Sequence, residues 1–552
     1  MLSNAPPPAI STQGDGRTSR ASGFATVIHR TYLAWIRLAR SRRTCVLGVT
    51  AGALLLGYIY HVQCGFPEPE IHDEFSYLLA ADTFASGRVT NPPHPLWTHF
   101  ESMHILQQPT YASIYPVGQG LLLAAAKRVT GHPWWGVWFS IGLMCGAICW
   151  MLQQWVPPQW ALVGGLLSLR IVISYWLRSY WGGAIAAIAG ALLLGAAARM
   201  LRRPAKKWAF LMALAIAILA NTRPYEGLVL TLCVAGWYLT RLVRMPAAAR
   251  AALLGRIIVP FAVVFIAAGG GMAYYNWRVT GSALTLPYSV SFRTYLYRRM
   301  FIWQKDRPHP FYRHPIMQET YAVLDRKEAS RLQHVEVKLV QPLVMYFGVL
   351  SLLCPLTFLA WWSRRTRPLV VFSAVTLAAL ALEYWSHPHY SAPAAAAMYG
   401  VMIQTIRRVN AWARWGAVAS RLLIATAILG SLVQFAVRNW NVPEITSFSL
   451  ERARIQHQLE TTAVRNLVIV RYARGHDTTH EWVYNRADID RSPVVWARDV
   501  SLPERTELIR YFKDRKVWIL EPDHFPQPWL RPYTPCEQAG PRFAPAAIAA
   551  CY

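Results

Sequence analysis

The residues able to move a proton or hold a phosphate fall in a few short stretches. The first is His72-Asp73-Glu74-Phe75-Ser76-Tyr77, about ten residues beyond the first long apolar run. Two adjacent carboxylates at the edge of a membrane can do either of two things. One can take a proton from an acceptor hydroxyl or amine; one can hold a divalent cation such as Mg or Mn, with Asp73 or Glu74 as ligand. The plainer alternative is a solvated loop whose Asp caps the helix that follows. Asp73 and Tyr77 are four apart and would share a helix face.

Three further stretches carry cations and imidazoles. Arg178 stands with Tyr180 and Trp181 between two closely spaced apolar runs. Arg223 and Glu226 flank Pro224-Tyr225, where the proline marks a helix-to-loop break. Each Arg needs an anionic partner, and Glu226, a lipid phosphate or a substrate phosphate would serve. His387, His389 and Tyr390 follow Glu383 by about one turn. The His-x-His spacing invites a metal, but no third His or Cys follows at zinc-like spacing. Hydrogen bonding to a phosphate or sugar is the better use, and an interfacial role is the alternative. His476, His480 and Glu481 in the tail have weak metal spacing.

The elements that must position these residues are membrane helices. The chain has 552 residues, 54% hydrophobic and only 15% charged, with long apolar runs separated by Arg clusters. A formal charge of +28 could suggest nucleic acid. The basic residues sit in short loops instead, which is the positive-inside pattern, and nucleic acid is not expected as a partner. Hydropathy predicts spans at about 44–62, 133–152, 160–177, 182–199, 208–222, 226–241, 257–276, 339–362, 369–385, 390–406 and 422–437. The apolar segment 113–128 is short and reads as re-entrant or interfacial. With it left out, the loops at Arg202-Arg203, Arg241-Arg244, Arg364-Arg365 and Arg407-Arg408 all fall inside. The polar stretches above then share the outer face, in a first loop 63–132, a long loop 277–338 and three short turns. The fold class is therefore an α-helical polytopic membrane protein of about 11–13 spans.

Residues 1–43 read as a basic, partly disordered cytoplasmic segment, and 44–437 as the membrane domain. From 438 the composition changes. A helix near 450–464, strands at Leu467–Tyr472, Val494–Ala497 and Val517–Leu520, and a helix at about 503–513 predict a small α/β domain outside the membrane. Cys45, Cys145, Cys149, Cys233 and Cys354 read as small core residues, while Cys536 and Cys551 could form a disulfide.

In order along the chain, His72-Asp73-Glu74 through Gly87-Arg88, Tyr115-Pro116-Val117-Gly118-Gln119-Gly120, Ser179-Tyr180-Trp181-Gly182-Gly183, Arg223-Pro224-Tyr225-Glu226 and His387-Pro388-His389-Tyr390 resemble the motifs of GT-C integral-membrane glycosyltransferases. The resemblance covers about 44–437 and is nearest to the protein O-mannosyltransferases, the lipid A aminoarabinose transferase and the rhizobial lipopolysaccharide glycosyltransferases. It implies transfer of a sugar from a polyprenyl-phosphate-linked donor to an envelope lipid, glycan or protein acceptor, with inversion, at the outer face of a bacterial cytoplasmic membrane. It makes Asp73 the general base and Glu74 its neighbour in the catalytic pair. Arg178, Arg223 and His389 would neutralise the departing phosphate, with His72, Tyr77, Tyr180, Tyr225, Glu226, His387 and Tyr390 around the substrates. Tyr115-Pro116-Val117 departs from the family's Pro-Pro-Leu-Tyr type motif, so no role is carried over there. A transporter or lipid flippase is the competing class. It would want mid-span charges and paired repeats, and Arg170 is one of few such charges.

Overall fold

The computed structural model describes residues 35–326, 336–385, 387–440 and 447–534. Cys536, Cys551 and most of the basic N-terminal segment lie outside the described residues. The helices are α1 Arg42–Cys64, α2 His72–Ala85, α3 Val117–Thr130, α4 Trp134–Leu152, α5 Pro158–Ser168, α6 Ala184–Arg202, α7 Lys206–Ala220, α8 Pro224–Leu242 and α9 Ala247–Thr280, then α10 Pro287–Tyr295, α11 Pro315–Arg326, α12 Gln341–Phe347, α13 Arg367–Ala381, α14 Ala395–Asn410 and α15 Ala413–Trp440, with α16 Ser447–Glu460 and α17 Leu502–Tyr511 in the tail.

Every apolar run read as a span is helical, as a chain in hydrocarbon must be to satisfy its backbone. Among the described residues, six helices are long and apolar enough to cross a bilayer on length and composition alone: Arg42–Cys64, Trp134–Leu152, Ala184–Arg202, Ala247–Thr280, Lys338–Trp362 and Trp415–Val437. Pro158–Ile173 and Arg367–Ala381 are apolar but shorter. The 113–128 segment is α3, whose 14 residues reach only about 21 Å. That is too short to cross.

Two glycines set the close approaches on which the site depends. A Cβ at Gly190 would lie 1.9 Å from the Pro393 carbonyl oxygen, so only glycine lets α6 run against the 388–394 turn. A Cβ at Gly118 would lie 2.6 Å from the Asn221 oxygen, which instead accepts the Gly118 N–H at 2.8 Å. That contact holds the start of α3, just past Tyr115, against the corner between α7 and α8 that carries Arg223.

The tail folds as predicted into a small α/β unit. Its strands are β3 Asn466–Val470, β4 Val494–Arg498, β5 Lys516–Glu521 and β6 Trp529–Pro532, after a two-stranded ribbon of β1 Ile105–Leu106 and β2 Ala112–Ser113 in the first loop. The sheet order is β4-β3-β5-β6, with β3 parallel to both neighbours and β6 antiparallel at the edge. β3 is buried along its whole length, as its unbroken apolar run Leu467-Val468-Ile469-Val470 requires. The tail does not stand apart from the membrane domain. Phe75, Leu79, Phe100, Ile105 and Tyr111 of the first loop share one core with its strands.

Candidate active site

Helix α2 has three working faces, and its sequence dictates them. Asp73, Ser76 and Tyr77 lie at i, i+3 and i+4 and share one face. Phe75 and Leu79 face the tail, where Phe75 stacks on Tyr484 at 4.1 Å. Glu74 lies between.

Asp73 Oδ1 accepts the Tyr115 hydroxyl. Its Oδ2 is 3.9 Å from His104 Nε2, beyond hydrogen-bond distance. Burial works against ionisation of Asp73; His104, the Tyr115 hydroxyl, His387 and His72 outweigh it and hold the carboxyl below its ordinary range. His104 has φ +63°, a left-handed conformation that a residue with a Cβ adopts at some cost. It is kept there by the Ser76 hydroxyl, which donates to its carbonyl at 2.6 Å. Tyr77 stacks on Tyr115 at 4.4 Å, and Tyr288 of α10 meets Tyr115 edge-on at 5.7 Å.

The other half of the site is cationic. Arg223 is the residue before α8, and Pro224 at the first helical position starts that helix. Its guanidinium lies 4.2 Å over the Tyr390 ring and only loosely pairs with Glu226, at 4.0 Å. His389 Nδ1 is 2.7 Å from the Tyr175 hydroxyl, while its buried Nε2 has no hydrogen-bond partner among the described residues. Trp181 meets His387 and His389 edge-on at 5.1 and 4.4 Å. Lys338, also buried, donates to the Glu383 carbonyl. Tyr77, Tyr288 and Tyr390 each interact electrostatically with both Asp73 and Arg223, so the three tyrosines lie near both acid and cation.

The structure thus brings together Asp73, Tyr77, Arg223, Glu226, His387, His389 and Tyr390. It places the other five candidates in supporting bonds. Glu74 accepts the backbone N–H of Glu70 at 2.8 Å and of Tyr180 at 3.0 Å, and burial pushes its carboxyl up to about 8 against the pull of those amides. His72 is between the Tyr484 hydroxyl at 2.7 Å and the Thr478 carbonyl at 2.9 Å, and burial pushes its pKa down to about 4. A neutral ring serves both partners: Nδ1 accepts from Tyr484 and Nε2–H donates to Thr478. Arg178 closes the end of α1, donating to the Gly65 carbonyl at 2.8 Å. The Tyr180 hydroxyl donates to Pro67 at 2.8 Å, and that of Tyr225 to Ala379 at 3.2 Å.

Asp73 and Glu74 therefore diverge, one oxygen of Asp73 and both of Glu74 already occupied. No group of three or more His, Cys, Asp or Glu suited to a metal occurs among the described residues.

Sequence reading missed His104, Tyr175, Tyr288 and Lys338, and assigned Tyr115 nothing. Tyr115 had a signal, since it opens the Tyr-Pro-Val-Gly turn before α3. His104 reaches the site from a loop, Tyr288 from α10 and Lys338 from the first turn of the Lys338–Trp362 helix, and no local pattern shows that they meet there.

No protein family and no curated protein matches the sequence. Solved structures do match in fold. ArnT from Cupriavidus metallidurans in the apo state superposes with a TM-score of 0.55 at 14% identity, over 87% of this chain and 93% of that one. The Archaeoglobus fulgidus oligosaccharyltransferase tethered to an acceptor peptide superposes with a TM-score of 0.50 at 9% identity, over 86% of this chain and 68% of that one. The likeness is one of fold: this chain shares the overall fold of ArnT and of the archaeal oligosaccharyltransferase.

Proposed function

We propose that this protein is a membrane glycosyltransferase that moves a sugar from a polyprenyl-phosphate donor onto an envelope lipid, glycan or protein at the outer membrane face. The observation that carries this reading is the Asp73 carboxylate, held below its ordinary range, with Tyr77, Tyr288 and Tyr390 within electrostatic reach of both it and Arg223. In the step, Asp73 Oδ2 takes the proton of the acceptor hydroxyl or amine. The acceptor atom attacks the anomeric carbon, and the bond from that carbon to the phosphate oxygen breaks on the far side, inverting the centre. Polyprenyl phosphate leaves with the electron pair. Arg223 and the free Nε2–H of His389 stabilise the charge that grows on it, in a site where little water weakens them.

The orientation rests on charge. Arg42, Arg202 and Arg407 all lie within electrostatic reach of Arg365 at the opposite ends of the helices, which supports placing that end inside and Asp73 outside. Arg170, the charge that could have favoured transport, bonds Gln434 at 2.8 Å. The test uses the purified protein in liposomes with a labelled polyprenyl-phosphate sugar and envelope extract. Label should pass to an acceptor with release of one polyprenyl phosphate per sugar. Movement of intact donor across the bilayer, with no bond broken, would make the protein a flippase instead.

A further inference from the structure

Away from the reacting centre, α3, α4, α6, α7 and α9 enclose a groove of about 720 Å³ with almost wholly apolar walls, including Leu121, Phe139, Ile188 and Met272. Beside it a cleft of about 460 Å³ opens between the first loop and the soluble domain, lined by Asp82, Ser86, Arg88, Arg486, Asp488, Arg491 and Ser492. Arg88 lines both.

Three arginines and two aspartates line the cleft, and one of the arginines, Arg88, is left without a carboxylate among the described residues. Arg88 donates to Ser86 Oγ at 3.0 Å and has no carboxylate within ion-pair distance among the described residues. Asp82, the nearby anion, is taken up by Lys127 at 2.6 Å and by the Ala487 N–H at 2.8 Å. Arg491 is 86% exposed and touches Asp488 only at 3.8 Å. Arg486 reaches Glu460 at 2.5 Å.

The groove runs along α9, a helix long and apolar enough to cross a bilayer. Tyr274 lines it, and Tyr274 and Trp277 are exposed near the end of α9, the pattern of aromatic residues at a headgroup layer. Its α9 wall includes Gly271, one of three consecutive glycines whose Cβ positions meet nothing within 4 Å. Alanine would fit there and would be the better helix former, so the glycines leave the wall flat at the helix's expense. Arg223, His387, His389 and Tyr390 are all missing from the groove's walls.

We infer that groove and cleft together bind one anionic glycerophospholipid. Its acyl chains lie in the groove, and its phosphate sits on Arg88 with Arg486 and Arg491 of the soluble domain. The headgroup then ties the first loop, the soluble domain and the bilayer together. This inference rests on the shape and charge of the site and is tested without any transferase activity, so it fails or stands independently of the proposed reaction.

The experiment is native mass spectrometry and thermal unfolding of the full chain in nanodiscs of phosphatidylcholine with graded phosphatidylglycerol. One phosphatidylglycerol should be retained selectively, with a rise in Tm. The double variant Arg88→Gln, Arg491→Gln should bind it at least about tenfold more weakly, as expected for two lost charge-assisted contacts. Gly271→Leu should block retention by filling the groove; Ala217→Leu, on the facing wall, repeats that test if the first variant folds poorly. Equal retention by wild type and the double variant would overturn the inference. So would displacement of the bound phospholipid by polyprenyl phosphate, which would give the groove to the donor.

Discussion

Replacing Tyr115 by Phe removes one hydroxyl and, with it, the only hydrogen bond to Asp73 Oδ1 among the described residues. The ring, its stacking on Tyr77 and its contact with Tyr288 are kept. A hydrogen bond to an ionised group contributes about 1.5–3 kcal/mol, which corresponds to about 1–2 units of pKa. The sign follows from the native state. Asp73 is held below 3.8, so its base form persists until the pH falls through that lowered value. Loss of the hydroxyl leaves burial opposed only by His104, His387 and His72, and the carboxyl moves up. In wild type, kcat/KM for sugar transfer should stay flat from about pH 8 down to about pH 4.5 on its acid side; in Tyr115→Phe it should begin to fall about 1–2 units higher. Stability has the same sign: the depressed carboxyl contributes above its unfolded value, and the variant loses part of that contribution. An unshifted acid limb in a folded, active variant would refute the idea that Tyr115 sets the charge of Asp73.

Glu74 makes the opposite prediction. Its folded pKa of about 8 lies above the ordinary 4.5, so its contribution to stability is full below 4.5 and is lost as pH rises toward 8. Glu74→Gln should flatten that part of the Tm–pH curve, whereas Glu74→Ala, which leaves the Glu70 and Tyr180 amides unpaired, should cost about 2–4 kcal/mol in denaturant unfolding. Arg223→Lys gives up the planar stack on Tyr390 and should lower kcat about 10²-fold, with the acceptor KM little changed in steady-state kinetics. His72→Phe should loosen the tail, seen as faster amide exchange around Thr478 and Tyr484.

The helical framework was legible because apolar run length and Arg-rich loops are local signals, and each predicted span lies on a helix. Three of the four strands of the tail were legible for the same reason; β6, with Trp529 and Pro532 exposed at its ends, carries no apolar run. The candidate site was only half legible. Asp73 and Arg223 stood out as charges in an apolar chain. Glu74 looked equivalent to Asp73, and only the packing separates them, because one rotation step along α2 turns its carboxylate to backbone amides. The stretch His480-Glu481-Trp482-Val483-Tyr484-Asn485 read as an appendage. In the structure it supplies the hydroxyl that fixes His72, and its Glu481 forms a buried ion pair with Arg498, which in turn donates to the Glu101 carbonyl of the first loop at 2.7 Å. Such contacts join residues about 400 positions apart, and neither periodicity nor spacing encodes them.

The most direct test of the central claim is Asp73→Asn in the liposome transfer assay, read alongside Tm and donor binding. Asparagine keeps the shape and can still accept from Tyr115, but it cannot take a proton. A base role for Asp73 predicts transfer reduced by at least about 10³-fold with donor binding and folding retained. Transfer at the wild-type rate in that variant would contradict it.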